Sequence, residues 1–405
     1  MKPLRIFLLA ALILMVFGMD NVEASKEPEW SYNTTGDNLD SLAISADGEY
    51  IVAGSYNDGK VYLFDKDSST PLWSYTTGSW VPSVAISADG EYIVAGSRDK
   101  KVYLFNKDSS TPLWSYTTGD YVLSVAISAD GEYITAGSQD GKVYLFDKDS
   151  DTPLWSHGPG YNVNSVAISA DGEYVVTGDN NGDIYLFDKD SNTPLWSYDS
   201  GDQVFQVAIS ADGEYITVGS LDNKVYLFDK DSSTPLWSYD TGDDVSLVAI
   251  SADGEYITAG SDDNSVYLFG KDSSTPLWSY TTGDVVLSVA ISADGEYITA
   301  GSYDNKTYLF DKDSSTPLWS YDAGNYVLSV SISEDGEYIA ASSWNGKVYL
   351  FLNNLPPTAE ITRGLNLTAI DETQSIYPEY GGSSSQNSVK FKVKLENTGS
   401  HKDTY

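Results

Sequence analysis

The sequence predicts an all-β fold: an eight-bladed β-propeller of four-stranded blades, about 41 residues each, closed into a ring by an N-terminal outer strand. Three observations predict it. The hexamer "SADGEY" starts at Ser45, Ser87, Ser128, Ser169, Ser210, Ser251 and Ser292 and returns as "SEDGEY" at Ser333, in one step of 42 residues and six of 41. Each interval holds four short β-prone runs between turn signals, with no 3.6-residue apolar period that would mark a helix. One run, "WSY", has a copy at Trp30–Tyr32, ahead of the first full unit, and none after the last unit ends at Phe351.

In the second unit the runs are Leu72–Tyr75, Ser83–Ser87, Tyr92–Ser97 and Lys101–Phe105. Asp89-Gly90 separates two of them as a hairpin turn should, and Gln139-Asp140-Gly141 does the same one loop later in the next unit. "SVAIS"-type, "VYLF"-type and "WSY"-type strands each occur eight times. Trp30–Tyr32 therefore supplies the outer strand of the last blade, and the order from the axis outward is "SVAIS", "YIVAGS", "KVYLF", "LWSY".

The dodecamer "FDKDSSTPLWSY" (Phe64–Tyr75) recurs at Phe146, Phe228 and Phe310 with almost no change. Its tryptophans, Trp73, Trp114, Trp155, Trp196, Trp237, Trp278 and Trp319, together with Trp30, are expected to dock between adjacent blades. Burying an indole removes about 150–250 Å² from water, worth about 4–6 kcal/mol before entropy is charged. Pro71 and its copies suit an outermost strand, whose free side needs no donor. Asp65-Lys66-Asp67-Ser68 superficially matches the start of a calcium loop, but the sixth and twelfth positions are threonine instead of Gly and Glu. The segment reads as turn capping by Asp and Ser side chains.

"SVAISADGEYIVAGS…DKKVYLF" resembles WD-repeat sequences, with Phe in place of the Trp of Trp-Asp and without the Gly-His dipeptide. "LFDKDSSTPLW" is similar to the tryptophan-docking motif of quinoprotein propellers, with Ser68-Ser69 in place of its Thr-Gly. The two resemblances cover residues 30–351 and imply a propeller. A quinoprotein-like dehydrogenase would bind pyrroloquinoline quinone and Ca²⁺ through carboxylates and cationic contacts, with a catalytic Asp. The vicinal cysteine pair of several members is absent, and near-identical units leave no inserted loops to roof a cofactor.

Composition narrows the classes. The chain has 405 residues, no cysteine, two histidines and a formal charge of -36. Zero cysteines exclude disulfides, thiolate metal sites and a Cys nucleophile. Such acidity argues against nucleic acid, which draws on Lys and Arg. Three arginines, Arg5, Arg98 and Arg363, cannot make a sialidase-type cluster, and His157 is a Tyr replacement in a "WSY" strand, which leaves a Ser-His-Asp triad without a base. Residues 1–24 pair a basic start (Lys2, Arg5) with an apolar run and Val22-Glu23-Ala24, which reads as a secretory signal; an uncleaved anchor is the alternative.

Within the repeats, the copies disagree in the loop before "SVAIS" and in the loop after "GS", which strand connectivity places on one upper face. All off-template propeller aromatics fall there: Tyr56, Trp80, Tyr121, Tyr161, Phe205, Tyr303, Tyr326 and Trp344, joined by Arg98. Tyr303, Tyr326, Trp344, Tyr56, Trp80 and Tyr121 form an arc over blades 7, 8, 1, 2 and 3. Opposite it, Asp243, Asp244, Asp262 and Asp263 offer a weak cation site, with Ca²⁺ the fitting ion. Loop drift accounts for such variation, and so does a binding surface for sugar rings or a protein.

After Phe351 the composition changes. Residues 353–358 form a Pro-rich linker, and 359–405, with "SVKFKVKLENTGS", resemble part of an immunoglobulin-like module. The whole reads as a secreted or cell-surface, non-catalytic, monomeric propeller. Its expected partner is an extracellular protein or glycan, with no cofactor, no nucleic acid and no membrane insertion once the signal is cut. A quinone enzyme and a purely structural surface-layer-type protein are the alternatives.

Overall fold

Each "SADGEY" hexamer folds its own turn. In blade 2, Ser87 Oγ donates to Asp89 Oδ1 at 2.7 Å, and the same oxygen accepts the Glu91 N–H at 3.0 Å. Gly90 takes φ 71° there, a conformation costly for any side chain. These turns cut the chain into strands of regular length.

The computed structural model describes residues 24–34, 38–158 and 160–353. They form eight sheets, each built on four antiparallel strands that run in sequence order from the axis outward except at the outer edge of blade 8. In blade 1 the strands are Leu39–Ile44, Tyr50–Ser55, Lys60–Asp65 and Trp73–Thr76. Blade 8 takes Val327–Ile332, Tyr338–Ser343 and Lys347–Leu352 from the end of the repeats and Trp30–Asn33 from the start. That outer strand is antiparallel, with Trp30 opposite Leu350 and Asn33 opposite Lys347. The N-terminal closure expected from strand counting is present.

One strand was not expected. Ala24–Ser25 runs parallel to the outer edge of blade 7, opposite Trp319 and Ser320. Trp319 on that edge is 3% exposed, whereas its counterparts on the other blades are half-buried. The signal reading of residues 1–24, bar this last residue, lies outside the described residues; so do the linker from residue 354 onward and the immunoglobulin-like tail.

Backbone bonds make the ring continuous. Ala46 N–H donates to Ala88 O, Ala88 to Ala129, and so on through Ala170, Ala211, Ala252 and Ala293 to Glu334, whose own N–H returns to Ala46 O. All eight bonds measure 2.9–3.0 Å. A second set lies along the innermost strands, where Ser83 Oγ accepts the Val125 N–H at 3.0 Å and Ser329 Oγ accepts the Leu42 N–H at 3.2 Å across the seam.

The eight tryptophans dock as expected. Each indole N–H from Trp30 to Trp278 donates to the carbonyl of a lysine in the next blade, as Trp73 does to Lys107 O at 2.7 Å. The expected burial needs correction, because seven of these indoles keep an exposed edge. The fully buried wedge is the phenylalanine beneath: Phe64, Phe105, Phe146, Phe187, Phe228, Phe269, Phe310 and Phe351 are 0% exposed. Trp114 lies 5.3 Å from Phe146, and Tyr116 meets the same ring edge-on at 5.2 Å. Sequence order puts indole and Phe on neighbouring blades, so the Trp acts as a hydrogen-bonded cover over a Phe core.

The dodecamer is scaffolding. Asp65 Oδ1 accepts the Asp67 N–H at 2.8 Å and Ser68 Oγ the Thr70 N–H at 3.1 Å, both local turn bonds. Its lysine reaches back to the "DGEY" glutamate of its own blade, 3.4 Å from Lys66 to Glu49 and 2.8 Å from Lys148 to Glu132.

Candidate functional site

On the upper face the recurring residues of the template build a frame for the variable ones. Where blade 1 meets blade 2, Thr77 Oγ1 donates to Gly59 O at 2.9 Å, Ser97 Oγ to Ser79 O at 3.1 Å, and the Gly78 N–H to Asp99 Oδ2 at 2.7 Å. Upon that frame, one backbone bond per blade ties the two variable loops together. The Tyr56 N–H donates to Asn38 O at 3.1 Å, Arg98 to Trp80 at 2.8 Å, Gln139 to Tyr121 at 2.8 Å, Tyr303 to Val285 and Trp344 to Tyr326 at 2.9 Å. Blades 4, 5 and 6 hold Asn162 with Asn180, Gln203 with Leu221, and Asp244 with Asp262 in the same way. The mouth of the propeller is thus a ring of eight locked residue pairs, and the residue types differ from pair to pair.

Six of the predicted aromatics come together in two groups. The Tyr303 and Tyr326 rings lie 4.6 Å apart, and Tyr326 is 6.2 Å from Trp344. Tyr56 meets Trp80 edge to face, and the Arg98 guanidinium stacks on Trp80 at 3.6 Å while lying 5.6 Å from the Tyr121 ring centre. Asn38 joins the groups across the seam, since its N–H donates to Trp344 O at 3.1 Å. Tyr56, Trp80, Arg98 and Tyr121, with Asp58 and Thr77, line an open cavity of about 620 Å³.

Two aromatics stand apart. Tyr161 sits beside the Asn162 pair of blade 4, 51% exposed. Phe205, expected in a loop, lies within the innermost strand Val204–Ile209. There the ladder register shifts between Val204 and Gln206, so Phe205 is the bulged residue, re-aimed out of the sheet. The same bulge recurs at Asp40, Leu123, Asn164, Ser246, Leu287 and Leu328.

The four aspartates of blade 6 do not form a cation site. Asp263 is committed to the fold, with Oδ1 accepting the Ser265 N–H at 2.8 Å and Oδ2 accepting the Tyr267 hydroxyl. Asp243 Oδ1 accepts the Asp244 N–H at 3.0 Å. Among the described residues, no three acids or histidines converge as ligands would. Burial, then the neighbouring Asp243, pushes the Asp244 carboxyl above the usual carboxylate range, and Asp262 is raised by burial in the same way.

Asp40 escaped the sequence reading. Burial pushes its carboxyl up to about 6, against the lowering pull of the Arg98 charge. It is the only acid among the bulged residues, a fact visible once the copies are set in 41-residue register.

The architecture and repeat pattern define a WD-type β-propeller, and the family comparisons agree. Residues 315–351 match the model for the WD domain, G-beta repeat. Residues 38–301, more than half of the chain, match the IFT122 first beta-propeller, and the chain belongs to that family. Propellers of this class generally serve as protein-interaction scaffolds. No curated protein sequence matches the chain. Among solved structures it is similar to the computationally designed Ika8 protein, with 17% identity and a TM-score of 0.69 over 79% of this chain and 98% of that one. It is equally similar to Chaetomium thermophilum Sqt1, solved bound to the N-terminus of ribosomal protein L10, with 18% identity and a TM-score of 0.69 over 81% of this chain and all of Sqt1. At such identities the likeness shows the fold alone. The matching family models are of the WD class and not of the quinoprotein class that "LFDKDSSTPLW" also resembles.

Proposed function

We propose that this propeller is an interaction scaffold that receives a protein partner on its upper face, across the aromatic arc of blades 7, 8, 1, 2 and 3. One observation carries the reading: aromatics from five blades gather in two groups on one face, on frames built from recurring template residues, and several keep more than a third of their surface in water. Tyr and Trp held this way are the side chains that anchor protein interfaces. The charge of -36 favours a partner that is basic overall. The basic and apolar start of the chain supports an extracellular setting.

The test compares proteins captured by the wild type and by Trp80→Ala with Trp344→Ala, alongside a glycan array. Loss of a specific captured protein by at least about tenfold in affinity supports the reading. Identical capture by both proteins sinks it, and glycan binding without a protein partner moves the site to carbohydrate.

A further inference from the structure

We infer that the cavity between blades 1, 2 and 3 is an anchor for a single carboxylate of the partner protein, gripped by Arg98. The inference rests on the interaction-surface reading above and names the chemistry of one part of it. Arg98 is the sole arginine of the propeller, in a chain with 59 acidic residues, yet it takes part in none of the ion pairs or side-chain hydrogen bonds of the described residues. Its guanidinium is instead held flat by aromatic rings, on Trp80 at 3.6 Å and beside Tyr121 at 5.6 Å. A stacked guanidinium is fixed in direction while its terminal N–H groups stay free to grip a planar oxyanion with two parallel bonds.

The carboxylates nearby are already engaged. Asp99 Oδ2 accepts the Gly78 N–H at 2.7 Å and the Tyr103 hydroxyl at 2.6 Å, and its Oδ1 accepts the Lys101 N–H at 3.0 Å. Asp58 accepts the Tyr62 hydroxyl at 2.5 Å, and Asp120 pairs with Lys100 at 3.1 Å. Asp40 feels the Arg98 charge without pairing with it. Two buried donors also lack acceptors at this spot, Arg98 Nε and Trp80 Nε1. Unpaired buried donors are costly, and an arriving acceptor relieves that cost if the rings shift to admit it.

The surrounding acids set the charge of the ligand. A dianionic phosphate meets more repulsion from Asp40, Asp58 and Asp99 than a carboxylate does. The walls of Tyr56, Trp80 and Tyr121 suit an apolar or aromatic group beside that carboxylate. The occupant is therefore a C-terminal carboxylate or an Asp or Glu side chain, on a partner whose remaining surface is basic.

The chain has only three arginines, so the Arg98 Nε–H resonance can be assigned by its loss in Arg98→Gln. The full-length protein is titrated with N-acetylphenylalanine, its amide, N-acetylglutamic acid α-amide, glucuronate and phenyl phosphate. Saturable displacement of the Arg98 resonance by a carboxylate probe, about tenfold tighter than by the amide, is expected, as is weakening in Arg98→Lys, which keeps the charge but loses the fork. The two amino-acid probes tell a chain end from a side chain. No displacement by either overturns the inference, and tighter binding of glucuronate or phenyl phosphate overturns the assignment to a protein carboxylate. Failure here with protein capture still lost in the Trp80→Ala and Trp344→Ala variant leaves the interaction surface standing. Probe binding with unchanged capture has the opposite meaning and removes the surface instead.

Discussion

Asp179 stands where seven other blades carry serine: Ser55, Ser97, Ser138, Ser220, Ser261, Ser302 and Ser343. It is fully buried, with Oδ1 accepting the N–H groups of Asn181 at 2.9 Å and Asp183 at 3.0 Å, while Oδ2 has no partner. Burial raises its pKa, and these backbone donors offset only part of that. A carboxyl raised in the folded state favours folding below its unfolded pKa and loses that contribution as pH rises through the folded value. Asp179→Ser, whose hydroxyl accepts the local N–H as Ser97 does from Asp99 at 3.1 Å, should therefore raise the melting temperature at pH 7. The gain should shrink on acidification toward the ordinary value of 3.8. A gain equal at both pH values, by thermal denaturation, would refute the account. Sequence reading works at this scale where a residue breaks a repeated template, which is how Arg98 and Trp344 came into view. It passed over Asp40 because nothing about an acid in a β-prone run marks it as the bulged residue. It passed over the Phe wedge because Phe64 and its copies look like any apolar strand position until the next blade covers them.

A blade, taken as an element, offers two ways to loosen its seat on its neighbour. Phe146 is fully buried, and Phe146→Ala should cost about 3–5 kcal/mol through lost contacts and the cavity left behind. Trp114→Phe keeps most of the ring contact and removes mainly the 2.7 Å bond to Lys148 O, a loss of about 1 kcal/mol. Urea midpoints should rank the two in that order; the reverse order would restore the indole as the wedge. Gly131 adds a backbone test. It has φ 74°, and a Cβ there would stand 2.6 Å from Cδ2 of Tyr92 in the preceding blade. Gly131→Ala should lose at least about 1–2 kcal/mol from the left-handed backbone alone, and an unchanged midpoint would mean the turn can relax. Strand number, order and the Asp-Gly turns were legible because period and turn chemistry are local signals. The bulge between Val122 and Ser124 was not, since it belongs to the pairing of two strands. The locked pairs of the upper face were half legible: their variability showed in the copies, but the bond from Gln139 to Tyr121 closes over an intervening hairpin that spacing alone does not reveal.

At the scale of the molecule, eight nearly identical units are stable only as a closed circuit, because each buries its face on the next. The circuit closes at one place, where the chain's start supplies what its end lacks. Trp30–Asn33 completes the blade 8 ladder, the Trp30 indole donates to Lys66 O at 2.7 Å, and Trp30 and Tyr32 cover Phe64 at 5.5 and 5.3 Å. Removing residues 24–33 takes away that strand and both covering rings while leaving every repeat intact. The expected result is a melting temperature lower by roughly 10 °C, as several kcal/mol lost from a protein of this size implies. Hydrogen exchange should be fastest in Lys347–Leu352, left as an open edge, and around Phe64 on the other side of the gap. Removing residues 24–29 alone should act elsewhere and less, uncovering Trp319 on blade 7. A peptide of residues 24–34 added to the shortened protein should restore the melting temperature in proportion to its occupancy, since it needs only to rejoin an existing ladder. Equal melting temperatures for the shortened and full-length proteins, with no effect of the peptide, would show that the ring of backbone bonds from Ala46 to Glu334 holds the propeller shut without its outer clasp.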